Sequence, residues 1–171
     1  GSALVIEAKS GSFKVTNSKF KDNVNETTGG GAVRISGGTV NMINCEFSGN
    51  KAENTGTSKG QGGAIFVGAT GTLKAEKCLF TSNAAKAAMG DIHVAGELEM
   101  RDCSFIDNNQ SSVALSGKGK AYIDNCYFTY TADNGKPNAI ISPAASTTEV
   151  RINNSVLTGN WGGNGNYQIY G

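Results

Sequence analysis

The chain has 171 residues, enough for one domain with a core of its own. Its 24 Gly against 2 Pro, without a Gly-X-Y period, fit neither an ordinary helical domain nor collagen. A net charge of +1, no basic stretch with interleaved aromatics, and no apolar run near the roughly 18 residues of a bilayer span argue against nucleic acid partners and membrane insertion.

From the N-terminus, Gly1-Ser2 reads as a cloning scar, and residues 3–171 as one domain. Three short segments follow in order: Leu4-Val5-Ile6, then Phe13-Lys14-Val15, then Ser18-Lys19-Phe20. The first recurs as Val33-Arg34-Ile35, Ile65-Phe66-Val67, Ile92-His93-Val94, Val113-Ala114-Leu115 and Ala139-Ile140-Ile141. The second recurs as Val40-Asn41-Met42, Leu73-Lys74-Ala75, Leu98-Glu99-Met100, Ala121-Tyr122-Ile123 and Val150-Arg151-Ile152. The third recurs as Cys45-Glu46-Phe47, Cys78-Leu79-Phe80, Cys103-Ser104-Phe105, Cys126-Tyr127-Phe128 and Ser155-Val156-Leu157.

Alternation with period two is the mark of a strand with one buried face. Three such segments per unit, repeated at uneven intervals of 23 to 33 residues, describe a regular coil with variable loops. The expected fold is all-β, a right-handed parallel β-helix of about six coils with three short strands per coil. Like residues then stack in inward columns, and Phe20, Phe47, Phe80, Phe105, Phe128 and Leu157 form the largest.

The bends carry their own columns. Three residues after each large apolar residue comes Asn23, Asn50, Asn83, Asn108 or Asn160, with Thr131 as the exception. Asn tolerates left-handed backbone, bonds neighbouring main chain, and stacks amide on amide. Asn17, Asn44, Asn125 and Asn154 mark a second bend, where Lys77 and Asp102 also stand. The pairs Gly30-Gly31 and Gly62-Gly63 lead into the first strand.

Cys45, Cys78, Cys103 and Cys126 fall on one inward column, with no CxxC pair. They read as buried free thiols behaving as small hydrophobes. The alternative is disulfides between adjacent coils, and no metal or other cofactor is expected. On the outer face of the first strand stand Val5, Arg34, Phe66, His93, Ala114, Ile140 and Tyr170, an apolar strip for an exposed face. Either a loop such as 51–61 or 132–138 covers it, or it receives a partner. Phe66, Ile140 and the loop residue Trp161 are its candidate contacts. The second strand offers Lys14, Asn41, Lys74, Glu99, Tyr122 and Arg151, which read as an ordinary charge-paired face with Lys74 beside Glu99. Asp91 and Glu97 flank the His93 strand, while Asp22 and Asp107 lie at distant bends. No acid pair suited to glycoside cleavage emerges, so an enzyme is not expected.

Gly30-Gly31-Ala32-Val33 and Gly62-Gly63-Ala64-Ile65, in phase with the Phe-x-x-Asn phrases Phe20–Asn23, Phe47–Asn50, Phe80–Asn83 and Phe105–Asn108, resemble the repeats of the chlamydial polymorphic membrane proteins. The resemblance spans nearly the whole chain. Later coils depart from it: Gly90-Asp91-Ile92 keeps one Gly, and Leu157 replaces Phe. It implies a fragment of an autotransported passenger, displayed on a bacterial outer membrane, that attaches to a host-cell receptor of protein or glycan nature through those motif residues. A structural spacer, and a polysaccharide-binding or polysaccharide-cleaving β-helix, are the alternatives. Open ends of the rod would also favour self-association.

Overall fold

A computed structural model describes residues 1–56, 60–86, 90–108, 111–130, 140–143 and 149–159. Every strand pairing among them is parallel. The chain climbs through six rungs, opened by Leu4, Val33, Ile65, Ile92, Val113 and Ile141, each lying on the one before. It is a parallel β-solenoid, as the repeat requires.

In the first three rungs the first two segments run on as single long strands, Leu4–Thr16, Val33–Ile43 and Ile65–Glu76. Register shifts after Ile6 and after Ile35 absorb the extra residues between the two apolar triplets. In later rungs the same sheet is built from separate strands, such as Ile92–Val94 with Glu97–Arg101. The third segment forms a six-stranded sheet from Lys19–Lys21 to Val156–Gly159. A small third sheet, Val24–Asn25, Lys51–Ala52 and Ala84–Ala85, follows the Asn bend and adds to the three segments of the repeat.

Phe20, Phe47, Phe80, Phe105 and Phe128 stack face to face, centroids 4.4–4.9 Å apart and planes within 17°. All but Phe20, at the open first rung, have no exposure. Each such contact adds about 0.5–1.5 kcal/mol to the burial of the rings. Beside them runs an amide ladder. Asn83 Oδ1 accepts the backbone N–H of Asn50 at 3.0 Å and its Nδ2 at 2.9 Å. Asn83 Nδ2 donates down to the Phe47 carbonyl at 3.0 Å and on to Asn108 Oδ1 at 3.3 Å. One Asn therefore ties three rungs together. The left-handed residue at this bend is the one before the Asn: Asp22, Gly49, Ser82 and Asp107 have φ of 50–64°. The other bend is left-handed in every rung, with Asn17, Asn44, Lys77, Asp102, Asn125 and Asn154 at φ 49–54°. Lys77 and Asp102 hold the same backbone as the Asn residues around them.

The residue after that bend closes it. Ser18 donates to the Thr16 carbonyl, Cys45 to Ile43, Cys78 to Glu76, Cys103 to Arg101, Cys126 to Asp124 and Ser155 to Asn153. The four inner rungs, where the position is 1–2 % exposed, use the thiol; the two outer ones, where it is half-buried, use the hydroxyl. All four cysteines are free.

The ladder yields a graded expectation. Asn83→Ala orphans buried donors and acceptors in two neighbouring rungs, each worth about 1–3 kcal/mol. Urea unfolding should therefore show a loss of about 3 kcal/mol or more. Asn23→Ala, at the half-buried end of the ladder, should cost less than half as much.

Candidate functional site

The motif residues build rungs. Gly30 and Gly62 sit at φ +82° and +69°, where a Cβ would strike the carbonyl oxygen of Val33 or Ile65. Gly31 lies against the backbone of Lys51, and Gly63 against that of Ala84, so a Cβ at either would come within 2.8 Å of main-chain atoms of the third sheet. Ala32, Val33, Ala64 and Ile65 are fully buried. Phe47, Phe80 and Phe105 have no exposure, and Asn50, Asn83 and Asn108 at most 2 %. Phe20 and Asn23, in the first rung, are half-buried. The side chains of the inner copies are closed to any partner of the folded chain.

The apolar strip does not come together as expected. Ile141 pairs with Val113, so Ile140 takes the place before the strand, with Ala32 and Ala64, and is fully buried in the core. Two adjacent isoleucines without a preceding Gly pair hid this one-residue shift. Trp161, Ala139, Tyr170 and the 132–138 loop lie outside the described residues. Phe66 is half-buried: Arg34 lies 4.8 Å over its ring, His93 stacks on it at 5.5 Å, and Gly29 presses on its edge. His93 is 1 % exposed, with Nε2 2.9 Å from Ser116 Oγ and Nδ1 unpartnered. Burial lowers its pKa to about 4, so the ring is neutral at pH 7.

The open surface is the outer face of the second strand segment, the face expected to be ordinary. It forms a shallow groove of about 720 Å³ across five rungs, walled by Asn41, Lys74, Glu99, Tyr122 and Arg151 with their neighbours two residues on. Lys74 Nζ meets Glu99 Oε2 at 2.9 Å, as the register expected. Tyr122 OH donates to Glu149 Oε2 at 3.1 Å, and the Arg151 guanidinium lies 5.7 Å over the Tyr122 ring while binding Glu149 at 2.7 Å. The Tyr122 hydrogen bond and Arg151 lower the pKa of Glu149 and hold it as an anion. Glu76 is paired with Lys77 at 3.3 Å. The sequence named the wall residues but not the concavity, which arises only when the second strands stack.

Asp91, which flanks the His93 strand in the sequence, is the outlier of the core. It occupies the position of Ala64 and Ser112, is fully buried, and neither carboxyl oxygen has a hydrogen-bond partner. Burial raises its pKa well above the usual carboxylate value of 3.8. The folded chain thus holds this proton to higher pH than the unfolded chain, and stability from it is present below pH 3.8 and lost as pH rises. His93 runs the other way, losing stability as pH falls from 6.5 toward 4. Asp91→Ala should stabilise the fold by about 1–3 kcal/mol at pH 7, read as a rise in melting temperature. The gain should be smaller at pH 4, where His93 contributes equally to both chains and only the Asp91 difference changes.

A family model described as a right-handed beta helix region matches residues 1–170. No curated protein and no solved structure matches the chain.

Proposed function

We propose that this chain, which belongs to the right-handed β-helix family, is the adhesive segment of a bacterial surface protein, and that its second-strand groove meets the partner. The observation that carries this reading is a division of labour. The repeat motifs are spent on the interior, where the Phe, Asn and Cys columns each hold nearly one residue type, while the groove column varies in size, charge and aromaticity through Asn41, Lys74, Glu99, Tyr122 and Arg151. A uniform interior beneath a varied exterior suits a display surface.

The motif resemblance to chlamydial surface proteins supports the location, on the outer membrane and facing outward, and a host-cell receptor as the partner. The GGA and FxxN residues act in this reading by holding the rungs in register. Of the carboxylates lining the groove, Glu76 and Glu99 are each held by a lysine and Asp124 accepts the Asn154 amide at 3.0 Å, while Glu149 beside it is held by Arg151, an arrangement that favours binding over acid–base cleavage. Tyr122 and Arg151 supply the aromatic and guanidinium anchors on which binding energy usually concentrates. Among the described residues no helix is long and apolar enough to cross a membrane.

The test is attachment of beads coated with the folded chain to epithelial cells, beside beads carrying an unrelated β-helix of similar length. Specific attachment, lowered at least tenfold by Tyr122→Ala with Arg151→Glu at unchanged circular dichroism, is the expected result. Absence of attachment by the folded chain would replace this reading with the spacer. Attachment that survives the double substitution would move the contact off the groove.

A further inference from the structure

Outside the groove, the four thiols that close the bend of the inner rungs form a column of soft donor atoms. Cys45, Cys78, Cys103 and Cys126 lie one above another in four consecutive rungs, anchored alike by their bonds to the carbonyl two residues earlier. Parallel strands stack at about 4.8 Å, so successive sulfurs are separated by about that distance. A metal–thiolate bond is about 2.3 Å long. An ion midway between two sulfurs of this column therefore meets both at bonding distance, in a nearly straight line.

The column selects among ions. A tetrahedral ion needs donors around a point, and among the described residues no three His, Cys, Asp or Glu side chains gather to hold one. Carbonyl oxygens of Val15, Met42 and Ala75 lie 3.5–3.6 Å from the sulfurs of Cys45, Cys78 and Cys103. Partial negative charge thus borders the space a cation would enter. Two thiolates with a divalent ion are neutral overall, which a dry column tolerates; a monovalent ion would leave a buried net negative charge.

We propose that the thiol column binds soft divalent ions of linear two-coordinate preference, one between Cys45 and Cys78 and one between Cys103 and Cys126. That pairing alone gives four thiols two such sites. On binding, two S–H bonds break, two metal–sulfur bonds form and two protons leave to solvent, with no change of oxidation state. Without metal, burial pushes the Cys45 thiol up, and the adjoining thiols of Cys126 and Cys78, with burial, push Cys103 up, while a hydrogen bond from Cys103 brings Cys78 and Cys126 down.

The experiment is titration of the reduced, folded chain with mercuric chloride, followed by ultraviolet thiolate-to-metal absorption, native mass and circular dichroism. Two chloride-free ions per chain, each with both bonds to sulfur, are expected with the β signal intact, and zinc chloride should give none. Cys78→Ser should leave one chloride-free ion. Cys78→Ser with Cys126→Ser should leave no chloride-free ion, because Cys45 and Cys103 then stand two rungs, about 9.6 Å, apart and each can hold mercury only with a chloride retained. Serine closes this same bend at positions 18 and 155, so these variants keep the fold. No chloride-free uptake by the folded wild-type chain, uptake only with loss of the β signal, equal uptake of zinc, or chloride-free ions in the double variant would each overturn the proposal.

Discussion

In-register parallel stacking is the constraint on which the rest of this molecule depends. Each residue of a rung meets its own counterpart one strand spacing above and below, so a side chain must suit a copy of itself. Phe satisfies this by face-to-face contact, Asn by amide bonding, and Cys by a small thiol that bonds its own rung. Charge does not satisfy it, because like charges directly opposite repel. Outer columns answer by alternating sign, as in Lys19 with Glu46 and Lys74 with Glu99. The free energy is therefore distributed along columns rather than gathered in one central core, and nearest-neighbour rungs stabilise one another.

The same constraint decides which positions tolerate change. Between the columns the chain leaves and rejoins the rod, and intervals of 23 to 33 residues are absorbed there without disturbing the stack. Inside the columns a departure is visible at once. The fourth rung has Gly90-Asp91 where the third has Gly63-Ala64, and an unpartnered carboxyl stands at a place its neighbours fill with Ala and Ser. Nothing in the second or third rung shows such a conflict among the described residues.

The columns were legible in the sequence because each is a repeated residue type at a fixed offset from the next. Phe, Asn and Cys columns fell where the phrases placed them, and so did the Lys74–Glu99 neighbours. Legibility failed where that signal thins. Ile140 and Ile141 are alike, the usual Gly pair is missing before them, and a shift of one residue takes Ile140 from the outward place to the core, where both are fully buried. The third sheet rests on Val24-Asn25, Lys51-Ala52 and Ala84-Ala85, two-residue strands too short to show a period. The burial of His93 depends on what lies over the outer face, which strand alternation does not report. The groove was invisible for a related reason: its walls belong to five rungs separated by loops of unequal length.

This arrangement changes what loss of activity at a repeat motif means. Removing a Phe ring from the stack forfeits about 3–5 kcal/mol and loosens the rungs on both sides. A Cβ at Gly31 or Gly63 forces the backbone of the third sheet aside. Either change disturbs the spacing of Tyr122, Arg151 and their neighbours without touching a partner. A motif can thus be indispensable to attachment while every atom of it is buried, and dependence on the motif does not locate the contact. The contact is located by substitutions that leave the columns untouched, and the outer residues of the second strands are the ones this fold leaves free to vary.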